Sequence, residues 1–178
     1  TNYIKVIKLV DNNYDFDNSY NIELENTDEE IKKNKITNLE ISGLNIYNTD
    51  IIWITNDSLD TPVSLYEYNL ETKNVNLLKQ REVPNFDKSE YESKRLYAES
   101  HDGVMVPLSI VYKKSLFKKD GSNPVYLYGY GSYGHTVDAD FSARILPLLN
   151  RGFVYVIGHV RGSSFLGYKW YEDGKMKN

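Results

Sequence analysis

Apolar residues along this chain fall in short runs divided by turn-forming clusters, and only one segment carries a helical spacing. Tyr3 to Val10 alternates Ile4, Val6 and their apolar neighbours with lysine, the period of a half-buried strand. Asp11 to Tyr20 is dense in Asn and Asp, which bond their own backbone, and is predicted to be a loop. Asn26-Thr27-Asp28-Glu29-Glu30 has the form of a helix start and predicts a short helix through Lys33. Ile51 to Thr55, Val63 to Tyr68 and Val75 to Leu78 are runs of β-branched and aromatic residues. Turn residues separate them: Asn56-Asp57-Ser58 with Thr61-Pro62, then Asn69 to Asn74. The three runs predict an antiparallel meander. Periodicity alone does not distinguish a propeller blade from part of a sandwich.

Arg81 to Ser93 is polar, contains Pro84 and shows no period, as expected of a linker. Lys94 to Glu99 and Val104 to Tyr112 flank Asp102-Gly103, a hairpin signal because both residues tolerate positive φ. Lys113 to Asn123 reads as a solvated loop. Val125 to Tyr128 and Phe153 to Ile157 are near-continuous apolar runs, the pattern of strands buried on both faces. Between them Phe141, Ile145, Leu148 and Leu149 fall at helical spacing. Proline inside a helix costs about 3 kcal/mol, so Pro147 predicts a bend near Ile145, a short helix from Leu146, and Gly152 as its C-terminal residue. The order strand, glycine-rich loop, helix, strand is a βαβ crossover and implies a parallel pair. Ligands of such sheets bind beyond the carboxyl ends of the strands, where Gly129 to Gly134 lie.

Composition narrows the function. A chain of 178 residues with net charge −4 and scattered Lys and Arg has no nucleic-acid surface. Absence of cysteine excludes disulfides, thiolate metal sites and a cysteine nucleophile within these residues. No apolar run is long enough to span a bilayer and Thr1 to Asp11 lacks a signal-peptide core, so a soluble, cytoplasmic protein without a membrane partner is expected. Beginning on Thr and ending on Lys-Met-Lys-Asn in mid-pattern, the chain reads as an internal piece of a longer one.

A serine on a tight strand-to-helix turn requires Gly-x-Ser-x-Gly. Ser132 has Gly134 two places after it but Tyr130 two places before it, and neither Ser163 nor Ser164 fits, so no such elbow is present. His101, His135 and His159 show no metal-ligand spacing and read as structural or solvated. No cofactor is called for. Asp138 and Asp140, just before the helical pattern, are expected to cap it and oppose its dipole.

Tyr-Gly-Tyr-Gly-Ser-Tyr-Gly at 128 to 134, Arg-Gly-Phe-Val-Tyr at 151 to 155, His-Val-Arg-Gly at 159 to 162 and Trp-Tyr-Glu-Asp-Gly-Lys at 170 to 175 stand in one order over about 50 residues. Together they resemble the prolyl oligopeptidase family, in particular its oligopeptidase B branch. The resemblance implies an α/β fold in which the end of a β-propeller (1–80) leads through a linker (81–93) into the first part of an α/β-hydrolase domain (94–178). It implies a serine peptidase that cleaves short peptides, after Arg or Lys, through an acyl-enzyme. The Ser, Asp and His of its triad are expected beyond Asn178, and the piece alone should be inactive. Tyr130 corresponds to the family's oxyanion-hole tyrosine and Tyr133 to a substrate-pocket wall, with core filler as its other reading. Gly129, Gly131 and Gly134 would serve close backbone approach or positive φ. Arg161-Gly162-Ser163-Ser164-Phe165 departs from the family's Arg-Gly-Gly-Gly-Glu. A serine at a positive-φ position would cost about 1 kcal/mol or more, and loss of the carboxylate would leave Arg161 to find solvent or another acid. A non-catalytic relative acting as a binding scaffold, or another α/β-hydrolase such as an esterase, are the alternative readings.

Overall fold

The computed structural model describes residues 3–11, 13–24, 36–43 and 49–176. Among them run ten strands: β1 (Lys5–Val10), β2 (Asn13–Asn21), β3 (Asn38–Ser42), β4 (Ile51–Ser58), β5 (Thr61–Asn69), β6 (Val75–Gln80), β7 (Tyr91–Glu99), β8 (Met105–Lys113), β9 (Val125–Gly129) and β10 (Val154–Gly158). Two short α-helices, α1 (Leu146–Leu149) and α2 (Tyr168–Glu172), and three 3₁₀ turns accompany them. The helix predicted to start at Asn26 lies outside the described residues.

β3 to β6 form an antiparallel four-stranded meander in chain order. The β4–β5 turn falls at Leu59 and Asp60, so the predicted turn residues Asn56 to Ser58 and Thr61-Pro62 belong to the strands instead. Asp60 explains the shift, because its Oδ1 accepts from the Ser58 and Thr61 hydroxyls and closes the tighter hairpin. The second turn matches expectation, with the Asn69 side chain accepting from the amides of Glu71 and Thr72. Asp11 to Tyr20 is not simply a loop, for β2 pairs with β1. Its turn chemistry survives as an irregularity, where Asn18 donates to Asp15 and the Ser19 hydroxyl to the Phe16 carbonyl while the register shifts between Val6 and Lys8.

The second large sheet has the order β7-β8-β10-β9. β7 and β8 form the expected hairpin, joined by residues 100–104, in which Gly103 alone has positive φ (78°). β10 inserts beside β8 and runs parallel to β9 with Tyr155 opposite Tyr126 and Gly158 opposite Gly129, so residues 124 to 160 do form a crossover. The connection is shorter than a continuous helix: a single 3₁₀ turn at Ala143–Ile145 precedes α1, whose first turn accommodates Pro147. Its end is a Schellman motif, with Gly152 at φ 86°, Gly152 N–H donating to Leu149 and Phe153 N–H to Leu148.

β10 is buried on both faces as its sequence predicts; β9 is not. Val125, Tyr126, Leu127 and Tyr128 are 58, 48, 68 and 43% exposed, because β9 is the sheet's open edge and no described element covers it. Ile110, Tyr112, Val154 and Val156 pack on one face of the central strands. On the other, Val111, Ile157, Tyr91, Ala139 and Leu149 share one cluster with Leu59 and Ile36 from the meander side. The two sheets therefore meet across an apolar core. Hydrogen bonds seal its rim: Ser93 N–H donates to Asp60, Phe141 N–H to Asp57, and the Asn38 amide to Asp140.

Candidate functional site

Residues 129–135 leave the carboxyl end of β9 beside the carboxyl end of β10. Two glycines bring this loop onto the segment after β10. A side-chain carbon on Gly131 would lie 2.8 Å from the Arg161 carbonyl oxygen, and one on Gly162, whose φ is 88°, would overlap the Gly131 carbonyl. Only glycine fits at either place. Backbone bonds from Gly134 N–H to Gly162 and from Ser164 N–H to Gly134 tie the strands of chain together. A third layer holds the first two: Trp170, buried on α2, donates its indole N–H to His159 and accepts from Gly162 N–H. The three strings around 128–134, 159–162 and 170–175 thus form one packed unit.

Tyr130 sits on this cradle, 42% exposed, its ring edge-on to His135 at 5.5 Å. Its hydroxyl has no hydrogen-bond partner among the described residues. Tyr133 is 89% exposed at φ 58°. The His135 N–H donates to the Ser132 carbonyl, closing the turn that presents Tyr133.

The departures at 161–165 are accommodated. Only Gly162 of that stretch has positive φ, so Ser163 and Ser164 carry no such strain. The Ser163 hydroxyl donates to the Val160 carbonyl. Arg161 finds another acid, Asp102 in the β7–β8 turn, at 2.6 Å, and this contact holds the Asp102 carboxyl below the usual carboxylate range. Asp138 and Asp140 do not cap: the turn before α1 starts at Ser142 with no side-chain cap. Asp140 binds Asn38 instead, and its carboxyl is pushed up by lost hydration and by the neighbouring charges of Asp57, Asp138 and Glu40.

One cluster was not foreseen. His159 is 3% exposed, its Nε2 lies 2.6 Å from the Ser109 hydroxyl, and its ring stacks at 3.7 Å on Phe165. Arg95, 9% exposed, also packs on Phe165, its guanidinium carbon 4.7 Å from the ring centroid. Burial, then the Arg95 charge, lower the His159 pKa to about 3. A base that weak does not activate a serine at neutral pH, and Ser109 lies mid-strand in β8, fully buried. The Ser109–His159 pair is therefore a structural one, in agreement with the sequence reading of His159. His101 is exposed in its turn. Among the described residues no cluster suits a metal ion, and no helix is long and apolar enough to cross a membrane.

Fold and site define a sheet-rich chain in which a glycine-packed loop at the carboxyl end of a parallel strand pair presents a tyrosine hydroxyl. The chain belongs to the prolyl oligopeptidase family, whose model matches residues 139–178. It is 40% identical over 131 residues to dipeptidyl aminopeptidase BI of Pseudoxanthomonas mexicana, covering 73% of this chain and 18% of that protein. To protease 2 of Moraxella lacunata it is 41% identical over 133 residues, covering 74% and 19%. Oligopeptidase B from Trypanosoma brucei, solved with covalently bound antipain, superposes with a TM-score of 0.81 at 29% identity over 97% of this chain and 24% of that one. Oligopeptidase B from Leishmania major gives 0.72 at 33% identity over 88% and 21%. The chain spans less than a quarter of the length of each of these proteins.

Proposed function

We propose that this chain is the junction of a serine oligopeptidase, with residues 1–80 closing a β-propeller, 81–93 linking, and 94–178 opening the peptidase domain. The meander β3 to β6 and the mixed sheet β7-β8-β10-β9 supply the two architectures that this division requires. The enzyme hydrolyses short peptides after Arg or Lys through an acyl-enzyme on a serine outside these residues. The covalent antipain in the T. brucei relative supports a nucleophilic route. The observation that carries the reading is the position of Tyr130: an unpartnered phenol on a backbone-locked loop at the mouth of the parallel pair. When the serine oxygen attacks the scissile carbonyl, charge gathers on the carbonyl oxygen, and the Tyr130 O–H donates to it. A preorganised donor of this kind is worth about 3 to 4 kcal/mol of barrier. Tyr133 lines the approach. The Arg161–Asp102 pair and the unstrained serines remove the local grounds for a non-catalytic relative.

The test uses the full-length protein. A fluorophosphonate probe should label one serine, and Tyr130→Phe should lower turnover about 10²- to 10³-fold while leaving labelling possible. Assay on Arg, Lys and Pro peptides, and for release of dipeptides, fixes the specificity. No labelling sinks the peptidase; labelling with unchanged turnover in Tyr130→Phe removes only the tyrosine.

A further inference from the structure

An oxyanion donor has to stay where the charge will form, and the surroundings of Tyr130 hold it at few points. Gly129 and Gly131 flank it, so neither neighbour in the chain offers a side chain for its ring to lean on. The ring is exposed and its hydroxyl has no partner among the described residues, while Tyr133 stands out into solvent. The ring that does meet Tyr130 is that of His135, at the end of the same loop. The centroids lie 5.5 Å apart with the planes at 82°, the edge-to-face arrangement that aromatic quadrupoles favour.

His135 is held there by backbone. Its N–H donates to the Ser132 carbonyl. Gly134, immediately before it, takes φ 71°, donates its N–H to the Gly162 carbonyl and accepts at its own carbonyl from Ser164 N–H. The chain therefore turns back at a point fixed to the segment after β10, and that turn sets the imidazole against the phenol. We propose that His135 is a positioning residue for Tyr130, its ring keeping the phenol in the rotamer that aims the O–H at the developing oxyanion. The proposal rests on the peptidase reading of Tyr130. Without the contact the phenol samples its other staggered positions, which carry the hydroxyl away from the reacting carbonyl. The aimed fraction falls and kcat falls with it. KM, which reads contacts made with the peptide before reaction, does not. Two further roles open to an exposed histidine, a charge beside the oxyanion and a base, are separated from this one by substitution, because phenylalanine keeps a ring and removes both.

The test is steady-state hydrolysis of an Arg-containing chromogenic peptide by the full-length protein. Expected for His135→Ala is a fall of about 3- to 10-fold in kcat, the bias that one edge-to-face pair supplies, with KM within about twofold of wild type. His135→Phe should recover most of the loss, and His135→Gln, which has hydrogen-bonding groups but no ring, should not. In a Tyr130→Phe background, where no hydroxyl remains to be aimed, His135→Ala should have no further effect. His135 is exposed, so these variants leave the core untouched. Wild-type kcat in His135→Ala, failure of His135→Phe to recover activity, or an equal fall in kcat with and without the Tyr130 hydroxyl overturns the proposal and leaves the oxyanion role of Tyr130 standing. Unchanged turnover in Tyr130→Phe alone removes that role, and the proposal with it.

Discussion

Replacing Gly162 by alanine tests whether the loop carrying Tyr130 is held by backbone packing. Two costs can be separated. Gly162 has φ 88°, and a non-glycine residue in left-handed backbone costs about 1 to 2 kcal/mol. The added carbon also overlaps the Gly131 carbonyl, one residue from Tyr130, so the loop must move by about an ångström. A displacement of that size at a catalytic group costs about 10²-fold in rate. Gly121 is the control, because it has φ 78° but nothing within 4 Å of an added carbon, so Gly121→Ala incurs the conformational cost without the collision. In the full-length protein, hydrolysis of an Arg-containing chromogenic peptide should fall about 100-fold in kcat/KM for Gly162→Ala. Gly121→Ala should lower the unfolding midpoint and leave kcat/KM alone. Equal activity in the two variants would refute the reasoning, since the loop would then owe its position to something other than the Gly131–Gly162 contact.

Asp102→Asn should lower the unfolding midpoint at pH 7. Because Arg161 holds the folded Asp102 pKa below its unfolded value, the gap to wild type should be full above about pH 4 and close as acid protonates the folded carboxyl. His159 has the opposite consequence: the unfolded chain binds a proton near pH 6.5 that the folded site refuses until about pH 3. Wild type should therefore lose stability relative to His159→Gln as pH falls from about 6.5, and a parallel pair of pH profiles would exclude this. Leu149→Ala, at a fully buried position in the core shared by both sheets, should cost about 2 to 5 kcal/mol in chemical denaturation.

Much of the fold was legible because local chemistry and burial agree. The runs at 51–55, 63–68 and 75–78 sit in β4, β5 and β6, and the Pro147–Gly152 pair marks both ends of α1. Where the reading missed, tertiary contact outweighed local preference. Asp140 looked like a cap, yet Asn38, a hundred residues earlier, claims it. Asp57 looked like a turn residue, yet it lies in β4 and accepts from the Phe141 amide in the β9–β10 connection. β3 carries no apolar run long enough to announce a strand; it exists because β4 pairs with it from Ser42 to Asn38. The site divides in the same way. The close approach at Gly131 and the positive φ of Gly134 were legible because each restricts residue type locally, whereas the role given to Tyr130 comes from the resemblance alone. The Arg95–Phe165–His159 stack was not legible, since those three residues come from separate segments that no periodicity joins.

The exposed strand β9 allows one substitution to test both the fold and the proposed context. Val125 to Tyr128 have the composition of a strand covered on both faces, yet all four are more than 40% exposed and the edge beyond them is open. An open apolar edge pairs with copies of itself, so the 178-residue chain on its own should self-associate. Leu127→Lys, at the most exposed of the four, should make that short chain more soluble, because a charged edge discourages pairing. Under the proposed reading, in which 94–178 open a larger peptidase domain that continues the sheet beyond β9, the same lysine in the full-length protein would be buried and unpaired, at a cost of several kcal/mol. Leu127→Lys should thus help the short chain and destabilise the long one. Sedimentation of the first and denaturation of the second measure the two signs. A long chain unaffected by the lysine would mean that β9 stays at an open edge, and the placement of Tyr130 at the mouth of a closed catalytic sheet would fall with it.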